Sequence, residues 1–244
     1  MLGATLEPSP AGLPGYFGKI VGFPDFVSRR LPRIFVEPWD DWLQQSILSS
    51  RERLGSQWHD IYMTSPIWRF VLSRGVCGPT AWAGVLMPSI DRVGRHFPFT
   101  LAFEVPDTFG HLPFLTETSW FEELEHLALS TLDEPFDLDT FDGLLQRLVP
   151  ASPVDGPVSR LRSDAGSTVS WCFGLESAAA LPRSLPAISE SLTAGALGRN
   201  TFWWTSGSEK VTPCLLVFVG LPIPASYAAL LDGDWSRWGW TNWI

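Results

Sequence analysis

The residues of this chain that could do chemistry are two aspartates and the cations spaced around them. Lys19, Asp25, Arg29 and Arg30 lie in Gly15–Pro32 (GYFGKIVGFPDFVSRRLP), and Asp91, Arg92 and Arg95 lie in Val85–Thr100 (VLMPSIDRVGRHFPFT). With a divalent ion between Asp25 and Asp91, such a set would support a metal-dependent hydrolase or an accessory to phosphoryl transfer. No proton shuttle or nucleophile stands out beside them, so as a catalytic centre the set is poor. Two other uses fit the same residues about equally well: arginines that lock two loops through carboxylates, or a surface that a partner touches. Asp25 and Arg29 are four apart, a spacing that pairs them on one helical turn for about 0.2–0.5 kcal/mol.

Other chemistry finds little support. The four histidines, His59, His96, His111 and His126, form no HExxH or H-x-H pattern, and none sits beside a cysteine. There is no G-x-S-x-G elbow, dinucleotide fingerprint or P-loop. The run Asp137–Gly143 (DLDTFDG) looks like a calcium loop but fails in register, with Phe141 at an acid position and Asp142 at the glycine. It reads instead as a helix start, with Asp137 or Asp139 as the cap and Asp142 near the positive end. No metal, cofactor or catalytic residue is expected.

The elements that must position these residues follow from pattern. Tyr16–Ile20 reads as a short strand, and Gly22-Phe23-Pro24 as a turn opening a short helix over Asp25–Arg30 that Pro32 ends. Pro38 suits a first helical position, with Trp39, Trp42, Leu43, Ile47 and Leu54 on one face and Gly55 as the cap. Ile67–Leu72, Thr80–Met87 and Phe99–Val105 read as strands, the second apolar enough to be buried on both faces. Ser119 and Glu122 form a capping-box pattern for a helix reaching about Leu129, with Phe121, Leu124 and Ala128 inward. Another helix is expected over Thr140–Val149.

Past a proline-dense linker at Pro150–Pro157, strands are expected at Thr168–Phe173, Thr201–Thr205 and Val211–Gly220, with helices near Ala187–Leu197 and Ala225–Leu231. The expected fold is α/β, a layered αβα-type sandwich with a mixed β-sheet. Its expected organisation is a loose tail over 1–14, an α/β core over 15–149 and a C-terminal half over 150–244 packed on the same fold.

Composition sets the class. A chain of 244 residues, 45% of them hydrophobic, can bury a sizeable core without staples. Three cysteines, Cys77, Cys172 and Cys214, are an odd number without short spacing, which fits reduced thiols rather than a disulfide framework or a zinc site. The N-terminal stretch lacks a basic region followed by an apolar one, so no signal peptide is read, and no apolar run is long enough to insert in a membrane. The net charge of −9 argues against nucleic acid as a partner.

The charge is uneven. Eleven acids and no lysine or arginine fall between Glu104 and Asp142, an ordinary solvated face or a docking surface for a basic partner. Most of the thirteen tryptophans sit like core residues. The tail from Trp235 through Trp238 and Trp240 to Trp243 reads better as closing the core than as an exposed patch.

Gly15, Phe17, Gly18, Lys19, Asp25-Phe26-Val27, Arg29-Arg30-Leu31-Pro32, the Trp39–Trp42 helix, Ser65-Pro66-Ile67-Trp68-Arg69 and Gly84–Thr100 together resemble the TagF (ImpM) family of type VI secretion-associated proteins. The resemblance spans about Gly15–Phe103, with one departure: Pro24 stands where that family usually has glycine before the aspartate-phenylalanine pair. It implies a cytoplasmic accessory protein that represses type VI secretion after translation by contacting the system's forkhead-associated scaffold protein. The residues expected to bind a partner are Lys19, Asp25, Phe26, Arg29, Arg30, Asp91, Arg92 and Arg95. In some bacteria a similar domain is fused to a metal-dependent phosphatase, whose metal-binding aspartates find no counterpart here. The two signature segments are expected to meet in space, with Arg29 or Arg30 near Asp91.

Overall fold

A seven-stranded sheet with helices on both faces carries the two signature segments. The structure is a computed structural model that describes residues 12–106, 114–115, 117–150, 159–163, 170–174, 177, 185, 188–189 and 199–241. Its strands are β1 (Gly15–Gly18), β2 (Val27–Arg29), β3 (Trp68–Leu72), β4 (Ala81–Met87), β5 (Phe99–Val105), β8 (Asn200–Thr205) and β9 (Cys214–Val219), in the order β2-β1-β5-β4-β3-β8-β9. The strands β6 (Ser159–Ser163) and β7 (Ser170–Gly174) form a separate antiparallel hairpin.

The fold is the expected layered α/β type, but every pairing in the large sheet is antiparallel, where a mixed sheet was expected. A parallel neighbour needs a long crossover, usually a helix. Here β3, β4 and β5 follow one another through segments 73–80 and 88–98, and β8 and β9 through 206–213, none of which contains a helix. The helices fall in blocks outside these hairpins.

One face is covered by α1 (Arg33–Leu54), α2 (Trp58–Met63) and α5 (Tyr227–Asp232), which pack Phe35, Trp39, Trp42 and Leu43 against Phe70, Trp82, Leu86 and Trp203. The other face is covered by α3 (Thr118–Leu129) and α4 (Leu138–Leu145), whose Phe121, Leu124, Phe141 and Leu145 meet Tyr16, Val85, Phe99 and Phe103. Residues of β4 alternate between these clusters, so the strand is buried on both faces, as its apolar run indicated. Trp39, Trp82 and Trp203 are fully buried. Each ring removes roughly 200 Å² from water, worth about 5 kcal/mol at 25 cal/mol/Å².

Three local expectations are corrected. The helix expected over Asp25–Arg30 is strand β2, paired to β1 with Tyr16 opposite Arg29. Its side chains are drawn to the sheet edge, which outweighs a weak i,i+4 pair. Helix α1 begins at Arg33, not Pro38: the extended Pro32 offers its carbonyl to the N–H groups of Phe35 and Val36, and Pro38 lies inside the helix. Anchors on both sides of it, Phe35, Trp39 and Trp42, outweigh the roughly 3 kcal/mol that an interior proline costs. Helix α3 begins at Thr118 with no side-chain cap, so the Ser119–Glu122 box does not form.

Gly55 caps α1 at a positive φ of 58°, and Asp137 caps α4 by accepting the Thr140 N–H at 2.8 Å, both as expected. Trp235, Trp238 and Trp240 fold back onto the α1-side core, with the Trp238 indole donating to Asp232 at 2.9 Å. Trp243, residues 1–11 of the tail, residues 151–157 of the linker and most of the helix expected near Ala187–Leu197 lie outside the described residues. No described helix is long and apolar enough to cross a membrane.

Candidate functional site

The two signature segments are brought together by a glycine and a buried ion pair. At the end of β1, Gly18 has φ 137°, and a Cβ there would collide with the Pro98 carbonyl, so only glycine lets β1 lie this close to the second segment. The next residue, Lys19, is buried and donates to Asp91 Oδ2 at 3.0 Å and to the Arg95 carbonyl at 3.4 Å.

Asp91 is 1% exposed and saturated. Its Oδ1 accepts the backbone N–H groups of Val93 (3.0 Å) and Arg95 (2.8 Å), and its Oδ2 accepts Lys19 and Arg95 Nε (2.6 Å). Burial alone would raise its pKa, but these hydrogen bonds, from the Arg95 N–H, Lys19, the Arg95 side chain and the Val93 N–H, hold the carboxyl well below the usual carboxylate range. The turn is sealed to the first segment by Arg92 N–H to the Phe23 carbonyl (2.9 Å) and Arg95 Nη2 to the Pro24 carbonyl (2.5 Å). Phe26 stacks on Phe17 at 5.6 Å and lies edge-on to Phe97 at 4.8 Å, with Lys19 over its ring.

The segments therefore meet as expected, but through Lys19. Arg29 and Arg30 do not approach Asp91; they converge on Asp142, 4% exposed in α4. Arg29 Nη1 and Arg30 Nη1 each donate to Asp142 Oδ2 at 2.9 Å, joined by Gln146 at 2.8 Å, and Arg30 Nη2 lies 2.5 Å from Oδ1. Burial raises the Asp142 pKa, and the arginines more than offset that and hold it low. Arg30 reaches this position from a left-handed backbone, φ 59°, with its Nε on the Pro14 carbonyl at 2.7 Å. Asp142 is thus a counter-ion to two signature arginines rather than a helix-end charge. Because β2 is a strand, Asp25 does not pair with Arg29; it is exposed and accepts the N–H of Phe26 at 2.8 Å.

This arrangement bears on the uses set out for these aspartates. Asp91 is spent on four protein donors, so it is not free to share an ion with Asp25. What the site presents outward is a rim of Val21, Phe26 (41% exposed), Arg92 and Val93 (66% exposed), held by the buried pair beneath.

Sequence reasoning missed two further groupings. Arg69, 6% exposed on β3, makes a two-point bond to Glu125 of α3 at 2.8 Å on both arms, so one member of the acid-only stretch is structural. His59 Nδ1 and His96 Nε2 lie 2.8 Å apart, with Arg51 Nη2 3.3 Å from His96 Nδ1. These partners are 37 to 56 residues apart in sequence, and no short spacing could have revealed them.

The model of the TagF N-terminal domain, described as type VI secretion system-associated, matches residues 15–148. Among solved structures, the crystal structure of PA0076 from Pseudomonas aeruginosa PAO1 is 34% identical, with a TM-score of 0.78 over 95% of this chain and 97% of that one. No curated protein matches the chain.

Proposed function

Since this chain belongs to the TagF N-terminal domain family of type VI secretion system-associated proteins, we propose that it restrains that system after translation, in the cytoplasm, by direct contact with the forkhead-associated scaffold protein. It acts by occupying its partner, not by turnover. The observation that carries this reading is the rim made by the two signatures: Val21, Phe26, Arg92 and Val93 are exposed on a base made rigid by the buried Lys19–Asp91 pair. A small, preorganised apolar and basic patch costs little to order on binding, which is what a docking surface needs. The exposed Glu122 and Glu123 of α3 are a second charged face, suited to steering association rather than to holding the complex.

The test is binding of the purified scaffold protein to wild type and to Arg92→Glu/Val93→Glu, two exposed positions outside the core. The expected result is at least about a tenfold loss of affinity, typical of removing central contacts, with unchanged melting and loss of repression in cells. Unchanged affinity and repression would overturn the contact reading. Turnover of a phosphomonoester that needs a divalent ion and disappears in Asp25→Ala would instead favour the hydrolase alternative built on Asp25 and Asp91.

A further inference from the structure

The Arg51, His59 and His96 cluster lies on the α1 and α2 side of the sheet, and its hydrogen bonds fix its protonation. A guanidinium only donates, so His96 Nδ1 accepts from Arg51 at 3.3 Å. His96 must then carry its proton on Nε2 and donate it to His59 Nδ1 at 2.8 Å, which leaves the His59 Nε2–H pointing onward as a donor. Both imidazoles are neutral in this chain of bonds, and its outward ends are all donors.

The rings are held in place. Arg51 lies over Trp58 at 4.2 Å, and His96 stands edge-on to Trp58 at 4.8 Å and to Tyr62 at 5.3 Å. Tyr62 is in turn fixed by its hydroxyl, which donates to the Ser89 carbonyl at 3.0 Å.

The charge around the cluster is positive and unbalanced. The titratable groups facing His96 are Arg51 from α1, His59 from α2, Lys19 from the end of β1 and Asp91 from the second signature. Asp91, the one acid among them, is already committed to Lys19 and Arg95. Among the described residues, no ion pair includes Arg51, and Asp60, next to His59, pairs with neither imidazole. A depression of about 210 Å³, lined by Gln44, Ile47, Leu48, Arg51, His96 and Phe97, opens beside the cluster. The 2.8 Å separation of the ring nitrogens leaves no space for a metal between them.

We propose that this cluster is a phosphoryl-binding site, with Arg51 as the direct donor beside the depression and His96, itself held by His59, as the group that orients it. A dianionic oxyanion supplies the missing counter-charge and accepts more donors than a carboxylate can.

Histidine ring resonances of the full chain, titrated with inorganic phosphate at fixed ionic strength, test this directly. The expected result is a saturable shift of the His96 ring and of the His59 ring bonded to it, with His126 on the opposite helical layer unmoved. Arg51→Gln should weaken binding about tenfold and Arg51→Lys should recover part of the loss, because a charge-assisted bond is replaced by a neutral or single-point one. A phosphoserine peptide that binds more tightly than inorganic phosphate would mark a modified side chain as the source, and equal or weaker binding would mark the free anion. No saturable shift, or an identical titration in Arg51→Gln, would overturn the proposal.

Discussion

Replacing Asp91 with asparagine tests whether the signature turn is built on the buried Lys19 ion pair. The asparagine carbonyl can still accept the N–H groups of Val93 and Arg95, so the change isolates the charge. Arg95 loses one partner, but its side chain is 58% exposed and water replaces it. Lys19 cannot do the same, because its side chain is 7% exposed and its remaining bond, to the Arg95 carbonyl, is 3.4 Å long. Breaking a buried pair from one side costs about 3–5 kcal/mol. An ammonium left alone can also give up its proton, which from an ordinary lysine value near 10.4 caps the penalty at about 4.6 kcal/mol at pH 7.

The expected loss is therefore about 3–4.5 kcal/mol, or roughly 10 °C in melting temperature for a chain of this size. Urea denaturation followed by tryptophan fluorescence measures it. Lys19→Met in the same chain should recover at least about 2 kcal/mol, since removing both charges leaves no orphan. A single variant within about 1 kcal/mol of wild type, or a double variant as unstable as the sum of the singles, would refute the argument.

The remaining predictions concern other parts of the fold. Glu125→Lys should cost about 3–5 kcal/mol by stranding the buried Arg69, whereas Glu122→Lys/Glu123→Lys should leave chemical denaturation unchanged. Asp91 and Asp142 are held low in the fold, so each binds fewer protons there than in the unfolded chain. Their stabilisation is present above the ordinary value near 3.9 and lost as pH falls through the folded values, and an acid titration of stability should flatten in Asp91→Asn. Burial pushes the Cys77 thiol up to about 12, so a thiol reagent at pH 8 should label the half-buried Cys214 well before Cys77 in native protein, and equal rates would contradict the buried setting. Trp82→Ala should cost about 3–5 kcal/mol by emptying a fully enclosed ring site, read as a lowered urea midpoint.

The sequence by itself determined the parts of this protein governed by local physics. The period of Trp39, Trp42, Leu43 and Ile47 marks the buried face of α1, the unbroken apolar run marks β4 as covered on both sides, and Gly55 and Asp137 cap their helices. The signature residues also identified the family, because seven or more matched positions over one segment are specific where any single spacing is not.

What the tertiary structure decided is which charge meets which. Whether Arg29 and Arg30 face Asp25, Asp91 or Asp142 depends on strand β2 joining β1 and on α4 packing across it, and nothing within five residues of those arginines encodes either event. The loops joining β3, β4 and β5 and joining β8 and β9 are too short for a parallel crossover, whereas the pairing of β1 with β5 and of β3 with β8, strands far apart in sequence, was decided by packing. The His59–His96 contact exists because α2 and the second signature converge over the same edge of the core. Hydrophobic period is written along the chain, whereas the pairing of buried charges is settled by packing, since a charge removed from water must take whichever partner the assembled core places beside it.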